Sequence, residues 1–377
     1  MSPHSIVHSP QSRKYFCPGR VCLIGEHLDY NGGFVMPAAI SLGIHASVTS
    51  RSDNKIVCTS AQFFNTVEID LSKPIEHEAA AGWGNYVKGV VKYLKDAKLK
   101  IPALSIEFSA DLPSGAGLSS SAALEVLLAY ILQKEAGIEN VDRIKTALLC
   151  KEVENDFVGV KCGIMDQFSV ATGKKEHAVI LNCDTLEHEF VPVNTGDYRF
   201  IIINSNKRRE LAGSKFNERK SECETALKVI QKHKAIKSLG EATREDVLTF
   251  VEDKTAQKRA LHVFEENLRV QEAGKSLKQG DLIEFGLLMN ASHQSLKINY
   301  EVTGVELDTI AENAITIDGC IGARMTGAGF GGCAIALVKK DKMDAFKEKL
   351  NHLYTAAIGY PLSFYEFDVS DGVGEAQ

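Results

Sequence analysis

The segment that most restricts what this chain can become is DLPSGAGLSSSAALEV, residues 111–126. Small residues and glycines run into three serines, and an apolar helical pattern begins at once behind them. The first turn of a helix carries N–H groups without intrahelical partners, and glycines let a ligand approach that backbone closely. Serine hydroxyls add donors or a magnesium ligand. A strand, loop and helix joined in this way can cradle a phosphate. No GxxxxGK[ST] pattern occurs, so this is not a P-loop. Serine ahead of an apolar helix also serves as an ordinary cap, and the segment alone leaves both readings open.

Three other segments carry chemistry. GARMTGAGFGG, residues 322–332, puts five glycines in eleven positions ahead of the apolar run CAIALV. Ordering so much glycine is costly unless the backbone bends sharply or touches a ligand. It reads as a glycine-rich loop leading into a strand, and as a second wall for a polyphosphate. PGRVCLIGEHLDYNGG, residues 18–33, crowds Arg20, Glu26, His27 and Asp29 at a strand-to-loop transition. Carboxylates beside a histidine can hold the hydroxyls of a polyol, and an arginine can steady a transferring phosphoryl group. ENDFVGVKCGIMDQF, residues 154–168, sets Glu154 on a helix and Asp166 behind a turn at Gly163. Asp166 could orient or deprotonate a hydroxyl and Glu154 could hold hydrated magnesium, though Asp166 could equally cap the segment after it.

Between these segments the hydrophobic period predicts the elements. Strands are expected at RVCLIG, GIHASVTSR, KIVCTSA, TVEIDL and LSIEFSADLP. Residues 83–97 form a helix with Tyr86, Val87, Val90, Val91 and Leu94 on one face, and residues 119–137 a long apolar helix ending near Gly137. A further helix covers about Asp142 to Phe157, then MDQFSVATG reads as a loop before a strand pair. Past a seam at residues 194–199, FIIINSN is a strand, residues 216–233 a helix, and a charged helical stretch runs from about Ala256 to Leu287 with Gly280-Asp281 as its punctuation. A helix from Met343 and the strand LSFYEF close the chain. Strands and helices come in blocks, which favours an α+β fold of two domains, residues 1–193 and 194–377.

At 377 residues, with 43 basic and 49 acidic side chains (net −6), the chain is neither disordered nor a polyanion binder by composition. Its nine cysteines show no metal-ligand spacing, and no basic-then-apolar leader is present. Free thiols in a reducing cytoplasm are expected, with no membrane and no nucleic-acid partner. His262 and His293 read as surface or helix-contact residues, Met36, Met165 and Met325 as packing, and KKDK at 339–342 as a solvated turn.

Taken together, GRVCLIGEHLDYNGG, the run from Pro113 to Ala122 and MTGAGFGG resemble the three ordered signatures of the superfamily of galactokinase, homoserine kinase, mevalonate kinase and phosphomevalonate kinase (GHMP kinases), and most closely its galactokinase branch. VGVKCGIMDQF, the region 204–227, FGLLMNASHQSL and YEVTGVELDTI are similar to galactokinase segments as well. The resemblance implies a two-domain α+β fold with the active site in the cleft between the domains. It implies transfer of the γ-phosphoryl of ATP, with Mg²⁺, to the C1 hydroxyl of galactose.

The same resemblance assigns residues. Asp166 and Arg20 are the expected catalytic pair, while Glu26, His27, Asp29, Gly163 and Phe216 meet the sugar. Gly115, Ala116, Gly117, Leu118, Ser119, Ser120 and Ser121, with Gly327 and Gly329, surround the triphosphate. Ser121 and Glu154 hold the metal, and Trp83 and Tyr86 flank the adenine. Three positions depart from the family pattern: Cys22 stands for Asn, Leu28 for Thr, and Phe216 for a Tyr whose hydroxyl reaches the sugar. The expected partner is galactose or a related monosaccharide, bound by a monomer or weak homodimer. A C1 kinase for another sugar and a catalytically silent sugar sensor remain as alternatives.

Overall fold

The structure, a computed structural model, describes residues 12–113, 117–207 and 212–376. The strands β1 (Arg13–Ile24), β2 (Phe34–Ser50), β3 (Lys55–Ser60) and β4 (Val67–Asp70) form first, followed by α1 (Gly84–Asp96) and β5 (Leu104–Ala110). Three helices follow, α2 (Ser120–Glu135), α3 (Arg143–Glu152) and α4 (Met165–Thr172), and then the hairpin of β6 (His177–Asn182) and β7 (His188–Pro192). The second half runs β8 (Tyr198–Asn204), α5 (Ala212–Ile230), α6 (Arg244–Phe250), α7 (Lys254–Gln279), α8 (Leu282–Ser295) and α9 (Gly304–Ala314). It ends with β9 (Cys320–Thr326), β10 (Cys333–Lys339), α10 (Met343–Ile358), β11 (Ser363–Glu366) and β12 (Gly374–Glu375).

Two sheets organise these elements, as an α+β fold requires. The larger has the path β12-β1-β2-β5-β3-β4, with β6 and β7 branching from β2. The smaller has the order β11-β8-β10-β9. β1 carries irregularities at Pro18/Gly19 and Cys22/Ile24 on either side of Arg20. Bulges of this kind re-aim side chains and are concentrated next to active sites.

α2 is buried over nearly its whole circumference, as a helix apolar on all sides must be. α3 starts where Asp142 accepts the Lys145 N–H at 3.0 Å, and it passes into a wider π turn over Val153–Val158. Such turns expand a helix locally and recur at functional sites. Here the π turn carries Glu154.

Three local expectations need correction. MDQFSVATG is the helix α4, not a loop; its start at Ile164 has no side-chain cap, so the sequence offers no start signal. The glycine-rich loop does not begin at Gly322, because residues 320–326 are strand. Gly322 is there for packing: a Cβ on it would come within 2.6 Å of the Gly286 Cα on α8. β12 lies beyond the strand LSFYEF expected to close the chain, and it pairs with β1 through Tyr15↔Glu375 and Phe16↔Gly374. His262 and His293 are buried, which selects the helix-contact alternative over the surface one.

Met36, Met165 and Met325 are core residues, and the lysines of 340–342 lie in an exposed 3₁₀ turn. Cys17, Cys22, Cys58, Cys150, Cys162, Cys183, Cys223 and Cys320 are free thiols. Among the described residues no helix is long and apolar enough to cross a membrane.

Candidate active site

Arg20, on β1, reaches across to the first turn of α4. Its Nε and Nη2 both meet Oδ1 of Asp166, at 2.8 and 2.7 Å, and its Nη1 donates to the Gly117 carbonyl at 2.9 Å. The Arg20 N–H also donates to the Leu118 carbonyl. One buried guanidinium therefore ties the serine–glycine loop to the carboxylate expected to face the sugar. Because both contacts with Asp166 use Oδ1, its Oδ2 is left for another partner.

Arg20 and Asp166 line a cavity of about 320 Å³ together with Glu26, His27, Asp29, Glu154, Cys162, Gly163, Met165, Phe216 and Gly327. The sequence segments that resemble sugar-binding and catalytic motifs thus converge on one space. Burial and the Asp166 charge push Asp29 up to about 7, against the pull of Arg20. Glu154 is likewise pushed up to about 7, first by burial and then by Asp166, while hydrogen bonds from Ser121, Cys162 and Gln167 oppose the shift. Asp29, Glu154 and Asp166 around one arginine crowd negative charge, which a bound cation would relieve.

Glu26 and His27 line the cavity and also hold its frame. Glu26 accepts the Gly327 N–H at 2.6 Å and pairs with the fully buried Arg324 at 2.8 Å. Arg324 in turn stands 3.8 Å from Glu266, whose carboxylate accepts the Gly25 N–H at 3.0 Å. The loop that carries Gly25 and Glu26 and the second glycine loop are therefore locked by buried charge. The His27 ring shares a 2.9 Å hydrogen bond with the Tyr30 hydroxyl, and burial, with His262 nearby, lowers it to about 3, so it is neutral.

The serine–glycine loop meets the start of α2. Ser119 takes a left-handed conformation (φ 64°) and makes no capping hydrogen bond. The plain cap reading of these serines is therefore set aside. The buried hydroxyl of Ser119 has no hydrogen-bond partner among the described residues, which suits a site built for an anion. Across the cleft, Gly327 (φ +84°) approaches so closely that a Cβ would lie 2.8 Å from the Gly117 carbonyl oxygen. Only glycine permits the two loops to meet in this way. Gly329 shares the left-handed conformation, while Gly115 and Ala116 lie outside the described residues.

Ser121 touches Glu154, bringing the two expected metal-holding residues together. A second cavity of about 220 Å³ lies beyond Ser120 and Ser121, walled by Trp83, Tyr86, Phe108 and Phe63. Trp83 is fixed by a 2.9 Å hydrogen bond to Asn65, and its ring stacks on Phe63 at 5.8 Å. Phe63 escaped the sequence reading because it sits in a polar turn with no motif around it.

Two of the three departures from the family pattern lie away from the cavity. Leu28 is fully buried in the core, and Cys22 is fully buried with its N–H on Thr326. Neither lines the cavity. Phe216 does line it, with its ring 5.2 Å from that of Tyr30.

Comparison with known proteins follows the same lines. The family model described as GHMP kinases N terminal domain matches residues 85–174, and GHMP kinases C terminal matches residues 274–356. The galactokinase galactose-binding signature matches residues 5–50. The chain is 48% identical over 366 residues to a galactokinase of Clostridium tetani, covering 96% of this chain and 93% of the relative. It is 48% identical to a galactokinase of Staphylococcus carnosus, covering 95% and 93%. Its fold superimposes with a TM-score of 0.93 on Lactococcus lactis galactokinase complexed with galactose, at 43% identity over 97% of this chain and 95% of the other. A mevalonate kinase structure shares the fold alone, with a TM-score of 0.68 at 19% identity. Sequence, fold and cleft agree, and the chain belongs to the galactokinase family of the GHMP kinases.

Proposed function

We infer that this protein is a galactokinase, transferring the γ-phosphoryl of MgATP to the C1 hydroxyl of α-D-galactose to give galactose 1-phosphate and ADP. The observation that carries this reading is the Arg20 bridge between Asp166 and Gly117. It joins a group able to hold a sugar hydroxyl to a loop able to hold a phosphate. The division at residues 193 and 194 is supported by the sheets: strands up to Pro192 join the larger one and those from Tyr198 to Glu366 the smaller.

Asp166 Oδ2 orients the C1 hydroxyl and takes its proton as the oxygen attacks. Arg20 holds Asp166 in register and faces the charge that develops on the transferring group. Glu26, His27, Asp29, Gly163 and Phe216 enclose the sugar ring. Gly117, Leu118, Ser119, Ser120 and Ser121, with Gly327 and Gly329, surround the phosphates, and Trp83 and Tyr86 flank the base. Ser121 and Glu154 would hold Mg²⁺, which neutralises phosphate charge when bound. Alignment of the two substrates supplies much of the rate, since little covalent chemistry falls to the protein.

The test is ADP release with MgATP against galactose, 2-deoxygalactose, glucose, galactosamine, N-acetylgalactosamine, arabinose and galacturonate, with Asp166→Ala as control. Galactose leading, with the variant inactive, is the expected result. The apolar Phe216 wall favours one second reading, a C1 kinase for a related monosaccharide, which another sugar leading would reveal. Silence on every sugar with galactose still bound would mark a sensor.

A further inference from the structure

Every buried residue of α2 is apolar except Glu125, which is fully buried. Among the described residues, neither of its carboxyl oxygens has a hydrogen-bond partner. A polar group left so in a core costs stability and needs a reason. Glu125 stands one helical turn beyond Ser121, on the same face of α2. Against it lies the side-chain amide of Gln167 from α4, itself fully buried. The Gln167 Nε2 donates to Glu154 Oε2 at 2.6 Å, while its Oε1 has no partner. Two buried groups with unused hydrogen-bonding capacity therefore adjoin each other behind the carboxylate that faces the phosphate side of the cleft.

We propose that Glu125 is a positioning residue which, through Gln167, fixes the Glu154 carboxylate and so sets the affinity of the nucleotide complex for its divalent cation. A carboxyl buried without a hydrogen-bond partner is driven to keep its proton, and that O–H is available to Gln167 Oε1. The Gln167 amide is then held at one end by Glu125 and holds Glu154 at the other. An apolar residue at 125 would pack equally well and leave Gln167 free to turn. A glutamine there would keep the donor, as an N–H in place of the O–H.

The inference rests on the sugar-kinase reading, and its test separates the two. Mn²⁺ binding to the protein with a non-hydrolysable ATP analogue is measured by electron paramagnetic resonance for wild type, Glu125→Leu, Glu125→Gln and Gln167→Met, with galactose affinity measured in parallel. Groups behind a metal ligand typically change metal affinity by about 10–100-fold. Glu125→Leu and Gln167→Met are expected to weaken Mn²⁺ about tenfold or more, Glu125→Gln to stay within about twofold of wild type, and galactose affinity to hold in all three.

If Glu125→Leu does not fold, Gln167→Met carries the same expectation. Folded Glu125→Leu or Gln167→Met binding Mn²⁺ like wild type overturns the proposal. So does Glu125→Gln as weak as Glu125→Leu, or a loss of galactose affinity as large as the loss for Mn²⁺. Failure of the kinase reading would show separately, as no ADP release by the wild-type protein with any sugar.

Discussion

Replacing Gly163 by alanine tests the sugar site with a single methyl group. Gly163 is not in the left-handed region, so an alanine backbone fits there without strain. The obstacle is Asp29: a Cβ at 163 would overlap its carboxylate and lie 2.8 Å from its backbone carbonyl carbon. The carboxylate can swing away, but the backbone atom cannot, so Asp29 leaves its place against the cavity. Losing one hydrogen bond between a charged group and a sugar hydroxyl costs about 1.5–3 kcal/mol. That converts to a galactose affinity roughly 10–150-fold weaker. Calorimetry with galactose measures it directly, and the KM for MgATP in the ADP-release assay should stay near wild type. Galactose binding within twofold of wild type would refute the argument that Asp29 is held against the sugar by the absence of a side chain at 163.

Further expectations follow from the same geometry. Asp29 titrates at about 7 when folded against an ordinary 3.8, so its contribution to stability is complete below about pH 4 and lost as the pH rises through 7. Asp29→Asn should therefore raise the melting temperature at pH 8 and change it little at pH 4; an equal effect at both pH values would contradict the shift. Phe216→Tyr restores a hydroxyl to the cavity wall and should raise kcat/KM for galactose several-fold, since a net hydrogen bond is worth about 0.5–1.5 kcal/mol; steady-state kinetics on both proteins decides it. Arg324→Met leaves Glu26 and Glu266 buried without their shared partner, and should cost about 3–5 kcal/mol in urea unfolding. An unchanged midpoint would mean the two carboxyls take up protons at little cost.

Much of the cleft was legible in the sequence because its chemistry lies in short runs. Arg20, Glu26, His27 and Asp29 occupy ten consecutive positions, and the serines of 119–121 stand at the head of an apolar helix. Residue type and spacing are enough to mark such runs. What stayed hidden depends on contacts between distant segments. Glu125 looks like one charge in a helix until Gln167, from another helix, is seen beside it. Arg324 sits among glycines, and only the fold brings Glu26 and Glu266, distant in sequence, to its Nη2. The helix α4 was missed for a different reason, because it is short and begins without a capping side chain. Leu28 and Cys22, read as departures bearing on the sugar, point into the core instead.

The return of residues 368–376 to the first sheet has a consequence for handling the protein. Besides the β12 pairing, Ser41 donates to the Asp368 carbonyl, Gly372 and Val373 donate to Gly173 and Val170, and Ala376 donates to Lys14. Without this segment β1 would be an outer strand, offering a row of unpaired N–H and C=O groups to any strand that came near. The part of the chain that covers it is separated from it by almost the full sequence. A first half expressed alone, or a chain cut before Asp368, would carry that bare edge into solution. Self-association through β1 is then the failure to watch for, and soluble expression of fragments depends on supplying those last few residues.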